Sequence, residues 1–333
     1  MRTTTSVPGS GAQPEQSFWR LSASSCAAGS NGRAWESPGR FNGALVPDLG
    51  AILTAMVTPF DADGRVDEEA AVALMHHLLD HGSDGLVVCG TTGEVPTLTD
   101  DEQLGLIGLA VREVGDRCSI VAGAGSNDTR HAVHLTEKAT ELGADAILSV
   151  TPYYNRPSRR GILAHFSEVA RATDRPILVY NIPQRTGTNM SPDLLAELAQ
   201  IDGIDGVKQA NDDELGPIDG MDVYAGNDGV LARTLDMGGP GGIMVASHVV
   251  GDEMRRMVDE PDNRAEIDAS LRDVYDVLSL TASPTCTKAA LNMIGVPVGG
   301  VRLPILEATD EEKAQVRAVL ERHGLLSSQV ARA

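Results

Sequence analysis

The chain has 333 residues, of which 42% are hydrophobic, and its formal net charge is −20. A chain of this length and apolar content can bury a large core, either as one large α/β domain or as two ordinary domains. The negative charge argues against nucleic acid or an anionic membrane surface as a partner, and no apolar stretch approaches the ~20 residues of a membrane-spanning helix.

The first part of the chain differs in composition from the rest. Residues 1–45 are rich in Ser, Gly and Arg, show no sustained hydrophobic period, and lack the continuous apolar segment of a secretory signal. An organellar transit peptide would fit the Ser and Arg content, but a disordered tail, or residues upstream of the true start of the domain, is favoured. We assign residues 1–48 to an N-terminal extension outside the folded domain.

From residue 49 onward, short apolar runs alternate with amphipathic helical segments. The strand candidates are 51–60, 84–90, 118–126, 145–154, 176–183, 204–210, 222–228 and 241–247. The helix candidates between them are 67–82, 99–115, 128–142, 159–173, 191–200 and 229–237. The strand candidates are apolar throughout and do not alternate, which is typical of parallel strands covered on both faces.

Eight strand–helix units in about 200 residues predict an α/β fold, a (β/α)8 TIM barrel. A doubly wound open sheet is the alternative, but no GxGxxG follows the first strand. We assign residues 49–247 to the barrel and residues 248–333 to a C-terminal helical region packed on it.

Polar segments follow the predicted strands, at the end of a barrel where catalytic residues collect. They are rich in glycine and hydroxyl groups, whereas the strands before them are apolar. The segments are GTTGE (90–94), TPYYN (151–155), YNIPQRTG (180–187), VKQA (207–210) and GND (226–228). We therefore expect the functional site at these strand ends.

Lys208 is the most informative residue of these segments. The chain has four lysines against 23 arginines, and the other three lie in predicted helices. Lys208 instead follows an apolar run at the end of a predicted strand. It is either a lysine at the barrel rim that pairs with an acid, or a nucleophile that forms a Schiff base, whose pKa burial would lower from ~10.4.

Three further residue types near the same rim suit the chemistry of an imine. Tyr154 and Tyr180, just past the fourth and fifth strands, would either pack at the rim or shuttle protons, with Thr91 or Thr92 linking the hydroxyls. Arg185 is either a solvated loop residue or a bidentate clamp for a substrate carboxylate. The turn from Thr91 to Gly93 offers N–H and hydroxyl donors for a second carboxylate.

Metal chemistry finds no support in the sequence. The cysteines are widely scattered, without a CxxC motif or a His/Cys cluster at ligand spacing, and the eight histidines fall mostly on predicted helices. We interpret the histidines as surface or core residues. We expect reduced thiols, a cytoplasmic location, no metal and no other cofactor.

Together these segments resemble the dihydrodipicolinate synthase / N-acetylneuraminate lyase family of class I aldolase-like barrels. TAMVTPF, GTTGE, TPYYN, YNIPQRTG, GVK and the late RLP (302–304) occur in the family's order and spacing, from about residue 50 to 326. The resemblance implies condensation of pyruvate with L-aspartate 4-semialdehyde to 4-hydroxy-tetrahydrodipicolinate, an early step of diaminopimelate and lysine biosynthesis.

The resemblance also implies catalytic roles for four residues. Lys208 matches the Schiff-base lysine, Tyr180 the tyrosine that assists imine formation, and Thr91 the threonine of the proton relay. Tyr154 matches the relay tyrosine that reaches into a neighbouring subunit's site, which implies a homotetramer built as a dimer of tight dimers.

Four more residues match substrate contacts of the family. Thr92 matches a contact to the keto-acid carboxylate and the Ile243 carbonyl a contact to pyruvate. Gly226 is assigned to substrate binding as well. Arg185 resembles the arginine of the dihydrodipicolinate synthase branch, which favours aspartate semialdehyde as the second substrate.

Two other functions remain open at this point. A sister aldolase would cleave a 2-keto-3-deoxy sugar acid or 4-hydroxy-2-oxoglutarate with the same lysine. A catalytically silent barrel would bind a keto acid as a sensor, although retention of the four catalytic residues argues against it.

The chain departs from the resemblance at the cleft where many members bind lysine as an inhibitor. Tyr153 and Asn127 match that cleft, but Val95 and Pro96 replace small or polar residues. In addition, Asp100 and Gln103 stand where histidines are common, and His131 replaces an acid. We therefore expect weak or absent inhibition by L-lysine.

Overall fold

The protein is described by a computed structural model. It describes Met1, the backbone of residues 40–41 and 44–45, and residues 48–326. Two short antiparallel strands, β1 (Arg40–Phe41) and β2 (Ala44–Leu45), precede the main domain. The predicted extension 1–48 lies almost wholly outside the described residues and stays a prediction.

Eight parallel strands close into a barrel in the order β10-β3-β4-β5-β6-β7-β8-β9. The strands are β3 (Ile52–Ala55), β4 (Gly85–Val88), β5 (Ser119–Gly123), β6 (Ala146–Val150), β7 (Ile177–Asn181), β8 (Ile204–Gln209), β9 (Asp222–Ala225) and β10 (Gly241–Met244). Each of them lies within one of the eight predicted strand segments. The prediction of a TIM barrel is therefore confirmed.

Helices cover the outside of the barrel and also form the C-terminal region. They are α1 (Glu68–Asp80), α2 (Asp100–Val114), α3 (Thr129–Leu142), α4 (Arg159–Arg171), α5 (Pro183–Thr186), α6 (Pro192–Leu198), α7 (Leu231–Asp236), α8 (Ser247–Asp259), α9 (Arg264–Ser270), α10 (Arg272–Leu278), α11 (Thr285–Ile294) and α12 (Asp310–Arg322). All six predicted helices are confirmed, with ends that differ by a few residues at most. None of the helices in the described part of the chain is long and apolar enough to cross a membrane.

The strands are buried on both sides, as their continuous apolar sequences predict. In β4, Leu86 packs outward against the helices and Val87 points into the barrel; in β5, Ile120 and Val121 divide in the same way. All four are fully buried. Alternation of side chains across each strand thus fills two cores, one inside the barrel and one between strands and helices.

Local signals fix where the long helices begin and end. Thr99 and Glu102 form a capping box at the start of α2, in which each side chain bonds the other's backbone N–H. Asp128 caps the start of α3, and Gly143 ends that helix with φ +95°, a conformation that favours glycine.

The C-terminal helices are part of the architecture that surrounds the site. Helix α8 follows β10 directly and contacts β3 and α1, where the barrel closes. Helix α10 packs against the turn after β9 and against α11 and α12. The boundary predicted at residue 248 stays a prediction.

Candidate active site

Lys208 lies on β8 and points into the barrel. It is 5% exposed and pairs in register with Tyr180 on β7 and with Tyr224 on β9, so that a tyrosine flanks it on either side. Its Nζ lies 4.6 Å from the centre of the Tyr180 ring. Burial lowers the pKa of Lys208 to about 8; the negative charge of Asp228 opposes this shift and the positive charge of Arg185 adds to it.

A cavity of about 490 Å³ opens above this lysine, at the carboxyl ends of the strands. Six of the eight predicted site residues line it, and they come from the turn after β4, from β7 and the short helix after it, from β8, and from the turn after β9. These six residues are Thr91, Thr92, Tyr180, Arg185, Lys208 and Gly226. Parallel strands bring these distant segments to one rim, as the fold class predicts.

Tyr180 lies within β7 and not just past its end, as the sequence analysis placed it. Its backbone carbonyl accepts hydrogen bonds from the N–H (3.0 Å) and the hydroxyl (2.8 Å) of Thr151, which fixes the strand end. Burial raises the pKa of Tyr180 to about 12, against the charge of Arg185 and the hydroxyl of Thr91. Tyr180 is therefore a phenol with a proton to donate at neutral pH.

The GTTGE segment forms a compact turn under the cavity rim. The N–H of Gly93 donates to the Gly90 carbonyl at 3.1 Å, and the N–H of Glu94 donates to the Thr91 carbonyl at 3.1 Å. The Thr58 hydroxyl donates to the Gly93 carbonyl at 2.6 Å. These bonds hold Thr91 at the cavity with its hydroxyl next to Tyr180.

Arg185 lies in the short helix α5, just after β7. It is exposed, and its side chain makes no hydrogen bond or ion pair with any residue that the structure describes. Its positive charge is close enough to act on both Lys208 and Tyr180. The guanidinium is therefore available to a bound carboxylate.

Gly226 directly follows β9, and Ile243 lies within the adjacent strand β10. A Cβ at residue 226 would lie 2.5 Å from the carbonyl oxygen of Gln209, so that only glycine fits this approach. The ladder between β9 and β10 ends at Gly242, one residue before Ile243. Ile243 is fully buried in the barrel interior and does not line the cavity with its side chain.

Tyr154 lies apart from the cavity that six of the other predicted residues line. Its side chain is 90% exposed, its φ is +69°, and it does not line the cavity of its own chain. A positive φ costs energy for an aromatic residue and persists where surrounding structure or a function holds it. The neighbouring Tyr153 is also exposed.

The sequence analysis missed several cavity residues. Asp228 was part of the GND segment, and its carboxylate was overlooked; it lines the cavity beside Lys208. Arg272, Tyr275 and Asp276 reach the same cavity from α10. The sequence analysis considered only the segments that follow the strands. It could not predict that α10, which lies further along the chain, also lines the cavity.

The histidines divide between surface and core: His81 and His134 are exposed, whereas His165 and His248 are buried. The described residues contain no group of three or more His, Cys, Asp or Glu side chains that could hold a metal ion. Cys89, Cys118 and Cys286 are buried free thiols. Cys26 lies outside the described residues.

His248, just after β10, has a defined tautomer. Its Nε2 accepts from the backbone N–H of Val57 at 3.2 Å, so Nδ1 carries the proton and donates to the Val245 carbonyl at 2.7 Å. Burial lowers the pKa of His248 to about 4, which keeps the ring neutral at physiological pH.

The sequence model of the dihydrodipicolinate synthetase family matches residues 48–323. The chain belongs to this family. The 4-hydroxy-tetrahydrodipicolinate synthase of Heliobacterium modesticaldum is 44% identical over 293 residues, which cover 84% of this chain and 98% of the relative. Dihydrodipicolinate synthetase family membership accounts for the order and spacing of all six motifs.

Solved structures agree with the sequence comparison. A dihydrodipicolinate synthase from Bacillus anthracis is 39% identical with a TM-score of 0.78, over 82% of this chain and 98% of that one. The enzyme from Cyanidioschyzon merolae, solved with lysine bound, is 38% identical with a TM-score of 0.79, over 84% and 99%. The predicted enzyme class, a lyase, and the predicted activity, formation of 4-hydroxy-tetrahydrodipicolinate in diaminopimelate and lysine biosynthesis, are confirmed.

Proposed function

We propose that Lys208 is the nucleophile through which this chain condenses pyruvate with L-aspartate 4-semialdehyde. One observation carries the proposal: a single buried amine lies in the cavity, under a protonated phenol, with its pKa lowered to about 8. A pKa near 8 leaves a useful fraction of neutral amine at physiological pH, whereas an exposed lysine would be almost fully protonated.

The first chemical step joins Lys208 to the keto carbon of pyruvate. The nitrogen lone pair attacks the carbonyl carbon, the oxygen takes up a proton, and loss of water gives the protonated imine. Tyr180 is well placed to supply and recover these protons because its phenol remains protonated and lies beside the amine. The Thr91 hydroxyl next to Tyr180 continues the proton path.

The second step makes the carbon–carbon bond. Loss of a methyl proton sends the C–H electron pair into a new C=C bond, while the imine nitrogen accepts the former C=N pair. The resulting enamine carbon attacks the aldehyde, whose oxygen is protonated to a hydroxyl. The substrate amine then attacks the imine carbon and displaces Lys208.

Three groups of the site would hold the two substrates. Thr91 and Thr92 of the GTTGE turn line the cavity, and Thr92 would donate to the pyruvate carboxylate, with the Ile243 carbonyl as a further contact. Arg185, unpaired among the described residues, would bind the carboxylate of the aldehyde substrate through two parallel hydrogen bonds. Gly226 lines the cavity, where the absence of a side chain allows its close approach to the Gln209 carbonyl.

Tyr154 would complete the proton relay from a neighbouring subunit. Its exposure and positive φ fit a side chain that leaves its own subunit to enter another. We therefore propose a homotetramer of two tight dimers, acting in the cytoplasm.

Borohydride trapping tests the proposal. Incubation with pyruvate and reduction should leave one stable adduct, mapped by mass spectrometry to Lys208. Lys288 is an internal control because it is also buried, at 2% exposure, yet lies outside this cavity. Lys208→Arg should abolish both adduct and turnover, since guanidinium stays protonated; an adduct at Lys138, Lys288 or Lys313 instead would refute the assignment.

Assays with several aldehydes test the choice of second substrate. With pyruvate fixed, turnover should be fastest with L-aspartate 4-semialdehyde. Faster turnover with glyoxylate or a sugar aldehyde would identify a sister aldolase with the same lysine.

A further inference from the structure

Asp228 occupies the first turn after β9, where it lines the same cavity as Lys208. One carboxylate oxygen accepts hydrogen bonds from two consecutive backbone N–H groups after β10, Val245 at 2.8 Å and Ala246 at 3.0 Å. A side chain that bonds two amides of the adjacent strand end fixes its own position and theirs. Asp228 thus joins the ends of β9 and β10 next to the reactive amine.

The other side of the same turn is held by His248. Its Nδ1–H donates to the Val245 carbonyl, and its Nε2 accepts from Val57 at the end of β3. The Val245 peptide is therefore bonded to Asp228 through its N–H and to His248 through its carbonyl. The turn, and with it the end of β10 after Ile243, has little freedom to move when Lys208 reacts.

The charge of Asp228 matters because the reactive nitrogen is cationic for much of the cycle. Around Lys208 and Asp228 lie several titratable and charged groups, namely Tyr180, Arg185, Tyr224, Arg272, Tyr275 and Asp276. Of the charges that act directly on the Lys208 amine, Arg185 is positive and Asp228 is negative. Burial raises the pKa of Asp228, and the hydrogen bonds from Ala246 and Val245 and the charge of Lys208 oppose that shift. Among the described residues, the hydrogen bonds to its carboxylate come from these two backbone amides, and the cationic nitrogen of Lys208 is the charge that favours its ionised form.

We propose that Asp228 is a positioning residue for the Schiff base, holding the turn after β10 with its carboxylate oxygen and supplying the negative charge beside the nitrogen of Lys208. The inference rests on the proposed imine chemistry. The same charge favours the lysine ammonium before pyruvate binds and the protonated imine afterwards. Because enamine formation needs a protonated imine as the electron sink, the charge promotes the second chemical step.

Asp228→Asn separates the two roles of the side chain. The amide oxygen can still accept from Val245 and Ala246, but the negative charge is gone. Without the charge the Lys208 ammonium is less stable, so the acidic limb of kcat/KM for pyruvate should move to lower pH. The kcat should fall roughly tenfold or more, because the protonated imine loses its counter-charge.

Two further variants make the test specific. Asp222→Asn removes a half-buried carboxylate from the opposite end of β9, outside the cavity, and should leave the pH profile in place. Asp228→Glu keeps the charge and should keep the wild-type acidic limb, even where its longer side chain lowers the thermal midpoint. If Asp228→Asn fails to fold, Asp228→Glu still tests the proposal. A shift in the acidic limb of its kcat/KM profile would overturn the role of the negative charge.

The outcomes distinguish this inference from the function on which it rests. Absence of a borohydride adduct at Lys208 in the wild-type protein refutes the proposed chemistry. The other outcome is a normal adduct together with an acidic limb of Asp228→Asn that coincides with those of the wild type and Asp222→Asn. That result refutes the role of Asp228 and leaves the proposed chemistry of Lys208 intact.

Discussion

At the scale of single residues, the pH dependence of the reaction follows from Lys208. The neutral amine is the nucleophile, and burial sets its pKa at about 8. We expect kcat/KM for pyruvate to rise with pH and to level off above about 8, because protonation below that value removes the nucleophile. Initial rates between pH 6 and 9.5 at saturating aldehyde check this. A profile that is flat across pH 7–9 would show that another group limits the step.

Tyr180 and Tyr224 offer a matched pair, since they flank Lys208 at the same register on β7 and β9. Tyr180 lines the cavity, whereas Tyr224 is buried in the barrel interior and does not. Tyr180→Phe should lower kcat by about 10²–10⁴-fold, the usual contribution of a positioned proton donor. Tyr224→Phe should retain turnover within a few-fold. Equal losses in the two variants would mean that the phenols act through packing only.

Arg185 should act on the second substrate and not on the first. Arg185→Ala removes a charge-assisted contact worth roughly 1.5–3 kcal/mol, so KM for L-aspartate 4-semialdehyde should rise by about 10–150-fold. Trapping of the pyruvate imine should remain close to wild type. Arg185→Lys keeps the charge but loses the bidentate geometry. Its KM for L-aspartate 4-semialdehyde should therefore lie between those of the wild type and Arg185→Ala. Equal damage to imine formation would show that Arg185 organises the whole site.

At the scale of elements, a buried ion pair links the GTTGE turn to helix α11. Lys288 Nζ lies 2.8 Å from Glu94 Oε1, donates to the Gly300 carbonyl at 2.6 Å, and sits 4.2 Å from the centre of the Phe60 ring. The backbone N–H of Arg302, in the RLP motif, donates to the other Glu94 oxygen. Both charged side chains of the pair are almost fully buried.

Removing one partner of this pair should destabilise the fold more than removing both. Lys288→Met leaves the Glu94 carboxylate uncompensated, which typically costs about 3–5 kcal/mol of unfolding free energy. The double variant Lys288→Met/Glu94→Gln should recover much of that loss. Urea unfolding of the single and double variants measures it. A double variant no more stable than Lys288→Met would show that packing, and not the charge, is responsible.

The elements differ in how far the sequence predicted them. The barrel strands were predictable because each is a short apolar run buried on both faces. The residues at the rim could then be predicted to lie together, because parallel strands end at the same edge of the barrel. The short helix α5 carries no period, so it was not predicted. The contribution of α10 to the cavity was missed because only tertiary packing brings Arg272 and Asp276 to the cavity that Lys208 lines. Asp228 was missed because its hydrogen bonds are to backbone amides, which leave no mark in the sequence.

At the scale of the whole molecule, exposed large side chains are candidates for the contacts of the proposed tetramer. Tyr154 is 90% exposed, and Leu303 and Leu306 are 75% and 70% exposed beside the RLP motif. Tyr154 lies on the loop after β6, and the site is incomplete without it if it acts in trans. Activity and subunit assembly should therefore depend on each other.

The last prediction concerns L-lysine at the cleft predicted for the tight-dimer interface. His131 replaces the acid that would pair with an effector's ammonium, and it lies 3.0 Å from Asp100 and 3.2 Å from the Ser126 hydroxyl. Asp100 is the nearby carboxylate that could replace this acid, but it is already engaged by His131. Val95 and Pro96, which replace small or polar residues of the predicted cleft, begin a 3-10 turn over Val95–Thr97. We expect weak or absent inhibition, and turnover measured against rising lysine tests it.

A matched variant connects that expectation to one residue. His131→Glu restores a carboxylate on α3 and places it next to Asp100, where the two like charges repel until a cation binds between them. Lysine should then inhibit more strongly than in the wild type, while KM for pyruvate changes little because His131 does not line the catalytic cavity. Strong inhibition of the wild-type protein at sub-millimolar lysine would mean that the ammonium finds a partner elsewhere, and His131→Glu would then add nothing.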